Sequence, residues 1–203
     1  RVAIIGTGAS AIQIVPELVR PDAGVAEVQL YQRTPPWVVP RPNSLLPNAV
    51  RKAFATVPGL RFLVRSGIYW GLEGLGFAMT QRPGLLRAVE LVGRWNIRRY
   101  VKEKDLRRRL TPTYRAGCKR ILYSGNYYQA VANPKATLIT DGISRITAKG
   151  IVTDDGVEHP ADVIVYATGF HTTDSYTYVD VKGQRGEDLV DRWNREGVVA
   201  HRG

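Results

Sequence analysis

The chain opens on an uninterrupted apolar run, Val2-Ala3-Ile4-Ile5, the pattern of a strand covered on both faces. A glycine-rich turn follows, then a helix beginning near Ala9 and a second strand at about 27–32. Strand, turn, helix and strand in this order predict the opening of a parallel β-α-β unit. Pro16 falls inside that helix, where it removes one backbone hydrogen bond and is expected to kink or tilt the segment. Pro35, Pro36, Pro40 and Pro42 then surround Trp37, and so many missing N–H donors exclude a continuing helix or central strand, so the chain leaves the sheet. From about 45 to 110 apolar residues recur at helical spacing (Leu60, Leu63, Val64, Ile68; then Leu85, Leu86, Val89, Val92, Trp95), broken by Gly and Pro, which predicts an α-helical insertion. Strand patterns return at 136–139, 143–146, 151–153 and 163–167, with Asp154-Asp155-Gly156 as a turn, and are expected to complete the sheet. The organisation expected is α/β: a parallel-sheet domain in two parts, 1–43 and 111–170, interrupted by helices over 44–110 and followed by a further segment, 171–203.

Composition narrows the class. A length of 203 residues at 44% hydrophobic content is enough to bury a core. No apolar run approaches the roughly 18 residues of a membrane span, and no signal segment opens the chain, so a cytoplasmic protein with no membrane partner is expected. One cysteine, Cys118, and three scattered histidines, His159, His171 and His201, offer neither an internal disulfide nor a metal cluster, so no metal is expected. The net charge of +11 would concentrate any polyanion. Its main block, between Arg82 and Arg120, includes Arg98, Arg99, Lys102, Lys104 and Arg107 to Arg109 on an expected helix, which reads as a solvated or interdomain face rather than a nucleic-acid surface. The apolar run at residues 2–5 has no lead-in, and the chain stops at His201-Arg202-Gly203 without a terminating element, the arrangement expected of a segment cut at both ends.

The residues between the first strand and helix carry the most chemistry. Gly6-Thr7-Gly8-Ala9-Ser10-Ala11 is a G-x-G-x-x-A fingerprint in the strand–turn–helix context such a motif needs. Gly6 permits the tight turn, Gly8 lets backbone approach a pyrophosphate, Ala11 allows close helix–strand packing, and the helix N-terminus offers free N–H groups to phosphates. A Rossmann-like nucleotide-binding domain is therefore expected; a glycine-rich turn without a ligand is the competing reading. At the end of the second strand, where an NAD site places an acid, this chain has Gln32-Arg33-Thr34. The Arg33 fork and the Thr34 hydroxyl suit a 2′-phosphate, so NADP is preferred over NAD unless Arg33 is simply a surface arginine. Trp37, Trp70, Trp95 and Tyr127-Tyr128 read as core or interface residues.

Together with Ile12-Gln13 and Tyr31 to Pro35, this fingerprint resembles the NADPH-binding motif pair of flavin-dependent Baeyer-Villiger monooxygenases. Gly117-Cys118-Lys119-Arg120 with Asn126-Tyr127-Tyr128 resembles that family's Lys-Arg segment, Val165-Tyr166-Ala167-Thr168-Gly169-Phe170 its A-T-G linker, and 193–203 a stretch after the linker, so the likeness spans essentially the whole chain. The resemblance implies that Lys119 helps hold the 2′-phosphate, that Arg120 reaches the flavin as the catalytic arginine, that Gln13 lies in the cofactor-binding motif, and that Ala167, Thr168 and Gly169 link two nucleotide domains. A fixed guanidinium beside a reduced flavin that has captured oxygen would stabilise its negative charge. The implied partners are a ketone and molecular oxygen. A flavin needs its own pyrophosphate fingerprint, and none besides the one at Gly6 is present, so FAD is expected to bind mostly in a domain outside this chain. An N- or S-oxidising flavoprotein and a non-catalytic NADP-binding module are the alternatives.

Overall fold

A computed structural model describes residues 1–41, 46–170, 179–184 and 186–199. Pro42, His171 and His201, the start of the expected insertion and parts of the expected terminal segment lie outside the described residues. Along the chain the elements are β1 (Val2–Ile5), α1 (Ala11–Leu18), β2 (Val28–Tyr31), β3 (Val38–Val39), α2 (Asn48–Thr56), α3 (Leu60–Thr80), α4 (Arg87–Tyr100), α5 (Lys104–Leu110), β4 (Leu122–Tyr123), α6 (Tyr127–Val131), β5 (Ala136–Ile139), β6 (Ile143–Ile146), β7 (Gly150–Thr153), β8 (Glu158–Pro160), β9 (Val163–Tyr166) and α7 (Leu189–Glu196).

Four strands form a parallel sheet in the order β5-β2-β1-β9. Its middle strand β1 lacks polar alternation because both faces are covered. Ile4 packs with Leu30, Leu138, the α1 residues Ala11 and Val15, and Tyr127 and Tyr128 of α6. Ala3 turns to the other face, with Tyr31, Ile139 and Ile151 of β7. Burying each such aliphatic side chain contributes about 1.5–3 kcal/mol. Tyr31 is buried there with its hydroxyl on Gln29 Oε1 at 3.3 Å, and burial followed by the nearby Glu27 carboxylate pushes its pKa up to about 12. Pro16 is buried within α1, and the helix ends two residues after it.

The sheet corrects one expectation. Strands β6 and β7, read above as completing it, instead join β8 in a separate antiparallel sheet, β6-β7-β8. Connection length decides this: residues 147–149 and 154–157 are too few for the crossover a parallel neighbour requires, whereas a tight turn suffices for an antiparallel one. At the second turn Gly156 adopts φ 83°, and Asp155 Oδ1 accepts Thr153 Oγ1 at 2.6 Å and the Val157 amide at 3.1 Å.

Between β2 and β5 the helices α2 to α5 leave and rejoin the domain beside a two-stranded parallel clasp of β3 and β4. It is extended by the Leu122 amide on the Trp37 carbonyl at 2.9 Å and the Ser124 amide on the Val39 carbonyl at 3.0 Å. Trp37 is 1% exposed and packs with Ala78, Leu86 and Ala116. The helix α4 lies close against its indole, since a Cβ on Gly93 would stand 2.8 Å from Trp37 Cε3. Ile97, Val101 and Leu110 join the core beneath the parallel sheet. By contrast, α3 buries only Ala78, while Phe62 and Trp70 are each 70% exposed. Trp95 is also exposed, so the four tryptophans do not share one environment.

Residues from Gly169 onward form a second compact unit. Its helix α7 is capped by Asp188, whose side chain accepts the amides of Val190 and Asp191. Among the described residues no helix is long and apolar enough to cross a membrane.

Candidate functional site

The carboxyl ends of β1, β2 and β9 converge on the turn that begins at Gly6. Its amide donates to the Tyr31 carbonyl at 3.0 Å, and the Ala167 amide donates to the Ile5 carbonyl at 2.8 Å. Gly6 has φ 109°, and an added Cβ would lie 2.5 Å from the Ala167 carbonyl oxygen, so the fold itself requires glycine here. Gly8 differs. A Cβ there would meet only that same oxygen among the described residues, at an ordinary 3.8 Å, so none of them forbids a side chain.

The turn is fixed at two further points. Thr7, buried, donates its hydroxyl to the Thr34 carbonyl at 3.1 Å, which ties the glycine turn to the segment after β2. The Gln13 side chain donates to the Ala9 carbonyl at 2.9 Å. Gly8, Ala9 and Ser10 are exposed, and their amides find no acceptor among the described residues. Ser10 makes no side-chain cap, and the first turn of α1 contains no acid. Free amides at an uncapped helix N-terminus hold a partial positive charge, which fits an anionic phosphate group.

Arg33 is exposed two residues beyond β2 and makes no ion pair among the described residues. Lys119 and Arg120 are exposed just before β4. The ammonium of Lys119 sits 5.0 Å from the ring centroid of Tyr114. The Tyr114 hydroxyl donates to the Pro35 carbonyl at 3.1 Å, and its carbonyl accepts the Trp37 indole N–H at 2.9 Å. Burial raises the Tyr114 pKa, so the phenol stays protonated and remains a donor. Tyr114 thus links the Lys119 segment to the stretch carrying Arg33 and Thr34, a role that no motif announced. Gln32 is a second such link: it donates to the Arg109 carbonyl at 2.8 Å, while Arg109 donates to the Leu138 carbonyl at 2.7 Å.

Of the residues singled out in the sequence, Gly6, Thr7, Thr34 and Ala167 are in direct contact, with Gly8, Ala9, Ser10, Ala11 and Gln13 on the same turn and helix. Lys119 is joined to them through Tyr114, while Arg120 makes no polar contact among the described residues. Thr168 closes the first compact unit, and Gly169, at φ 97°, begins the second.

A glycine turn opening onto a helix N-terminus at the carboxyl ends of parallel strands defines the class: this is a Rossmann-type domain of the dinucleotide-binding kind. No family model matches the chain. It is 43% identical over 203 residues to a Baeyer-Villiger monooxygenase of Pseudomonas aeruginosa, across 100% of this chain and 38% of that protein. It is likewise 43% identical over 204 residues to one of Streptomyces coelicolor, with the same coverage of 100% and 38%. Cyclohexanone monooxygenase from Rhodococcus sp. Phi1 bound to NADP+ superimposes with a TM-score of 0.73 at 25% identity, over 96% of this chain and 43% of that one. The chain is a homologue of the Baeyer-Villiger monooxygenases and spans 38% of the length of these two curated relatives.

Proposed function

We propose that this chain is the NADPH-binding part of a flavin-dependent monooxygenase that inserts one oxygen atom into a ketone, giving an ester or lactone. The observation that carries the reading is an anion-ready glycine turn beside Arg33, a cation with no acid partner among the described residues, on a chain homologous throughout to Baeyer-Villiger monooxygenases. The amides of Gly8, Ala9 and Ser10 receive the pyrophosphate, with Gly6 and Ala11 setting the close approach of turn, helix and strand. Thr7 and Gln13 hold the turn in shape. Arg33 and Thr34 take the 2′-phosphate with Lys119 as a second cation, which selects NADP over NAD. Arg120 supplies a fixed positive charge at the reacting end. Bound FAD supplies the oxygen chemistry and NADPH the hydride.

In this reading 1–43 and 111–170 make the nucleotide-binding domain and 44–110 the insertion. Ala167, Thr168 and Gly169 lead towards an FAD domain that 171–203 begins to rejoin. Molecular oxygen and a ketone are the small-molecule partners, and the protein works in the cytosol.

Calorimetric titration with NADP and NAD tests the reading. NADP is expected to bind more tightly. Arg33→Ala should remove about 1.5–3 kcal/mol from NADP binding, roughly a tenfold to hundredfold loss, and leave NAD binding nearly unchanged. Equal binding of the two dinucleotides, or an NADP affinity indifferent to Arg33→Ala, overturns the assignment of the 2′-phosphate site. In the intact enzyme, oxidation of amines or sulfides with no turnover of ketones overturns the reaction.

A further inference from the structure

The segment from Arg94 to Arg109 carries eight Lys and Arg against two acids, more than half of the net charge of +11. The short connection between α4 and α5 folds this run back on itself and leaves an open cleft of about 370 Å³. Five cations line it, Arg94, Arg98, Lys104, Arg107 and Arg108, with Thr111 and the base of Ile97 completing the wall. No acid does. Asp105 is engaged in ion pairs with Arg108 and, at 2.9 Å, with Arg109.

Two of the cations are also held in place. The Arg94 guanidinium stands 5.8 Å from the Trp37 ring centroid, against a fully buried indole, and Arg107 is half-buried on α5. Like charges gathered around one hollow repel, and the positive potential they leave is relieved by a multiply charged anion. Guanidinium forks match phosphate oxygens in pairs, and the volume lies at the small-molecule end of binding pockets, too confined for a nucleic-acid duplex. None of the residues assigned to the dinucleotide lines this cleft.

We propose that the α4–α5 cleft is a second anion site, for a compact polyphosphate: either an inorganic chain or the polyphosphate of a nucleotide. The test is calorimetric titration of the protein with inorganic tripolyphosphate, in parallel with ATP, with saturating NADP+ present and sulfate at matched ionic strength as control. One saturable site is expected, blind to NADP+ and to Arg33→Ala. Arg98→Glu with Lys104→Glu should weaken it by about 100-fold or more while NADP+ affinity stays within about twofold. Tighter ATP than tripolyphosphate identifies a nucleotide as the source, and equal affinity an inorganic chain.

The charge reversal replaces repulsion with attraction, so Tm should hold or rise. If that variant folds poorly, Arg98→Gln with Lys104→Gln removes the charge without reversing it, and the same loss of tripolyphosphate binding is expected. Four results overturn the proposal: no saturable binding, heats that follow ionic strength alone, displacement by NADP+, or tighter binding of duplex DNA. The test also stands apart from the proposed function, because a protein that fails to bind NADP+ still reports on tripolyphosphate.

Discussion

Gly6 and Gly8 belong to one fingerprint, yet the structure separates the reasons for them, and alanine at each position tests the distinction. At Gly6 the backbone sits at φ 109° and a Cβ would overlap the Ala167 carbonyl oxygen at 2.5 Å. Holding a side chain in such a conformation costs about 1–3 kcal/mol. Overlap with backbone tied into two paired strands adds about 1–3 kcal/mol more, because the Ala167 amide is anchored on Ile5 and cannot retreat freely. Gly6→Ala should therefore destabilise by about 2–6 kcal/mol, a fall in Tm of roughly 4 °C at the least for a chain of this size. At Gly8 the Cβ meets the same oxygen at 3.8 Å and φ lies outside the left-handed region, so Gly8→Ala should stay within about 0.5 kcal/mol of the parent. Its effect should fall on dinucleotide affinity instead, since the methyl group occupies the space a pyrophosphate needs. Thermal unfolding followed by circular dichroism, with NADP titration of the folded variants, gives both readings. Comparable destabilisation by the two substitutions, or full NADP affinity in Gly8→Ala, refutes the reasoning.

The Tyr127 hydroxyl is buried with no hydrogen-bond partner among the described residues, and burial drives its pKa well above that of a free phenol. Tyr127→Phe removes that cost and should stabilise by about 1 kcal/mol, raising Tm by roughly 2–4 °C; a fall in Tm would show that the hydroxyl is bonded after all. The Asp155 carboxyl is held below the usual range, first by the Thr153 hydroxyl and then by the Val157 amide. The ionised group thus contributes stability that is complete above the unfolded pKa of about 3.9 and disappears as pH falls through the lower folded value. The Tm gap between the parent and Asp155→Asn should accordingly close on acidification from about pH 5 towards about pH 2, and a gap independent of pH would refute it. The exposed apolar side chains of α3 should make the chain self-associate, which light scattering would detect, and Phe62→Ser with Trp70→Ser should reduce it; a parent that stays monodisperse as its concentration rises argues otherwise.

What could be read from the sequence was local. The β1 run, the glycine turn and the strand ending before Arg33 announce themselves because the residues that define them are adjacent. The sheet that β6 and β7 join is not legible locally, because short strand patterns such as Ile143-Ser144-Arg145-Ile146 look alike whichever sheet they enter; the deciding signal, three residues between β6 and β7, lies in the connection. The pairing of Val38 and Val39 with Leu122 and Tyr123 has no local signature, since the partners are more than eighty residues apart. The same holds for Tyr114, whose importance appears only when its ring meets Lys119 and its hydroxyl meets Pro35. Helical spacing in α3 resembles that of a core helix, and spacing alone does not reveal which apolar faces find a neighbour.

The β3–β4 clasp makes the helical insertion a parenthesis in the chain. Its two ends stand one strand spacing apart, about 4.8 Å, however many residues lie between them. Doubling the enclosed length adds only about 0.6 kcal/mol of closure entropy, and the distance from Arg33 to Lys119 is set by the clasp rather than by the tether. The helices α2 and α3 can therefore be lengthened, trimmed or exchanged between relatives as a cassette, with the Trp37 pocket and the core places of Ile97, Val101 and Leu110 as the fittings each replacement must fill.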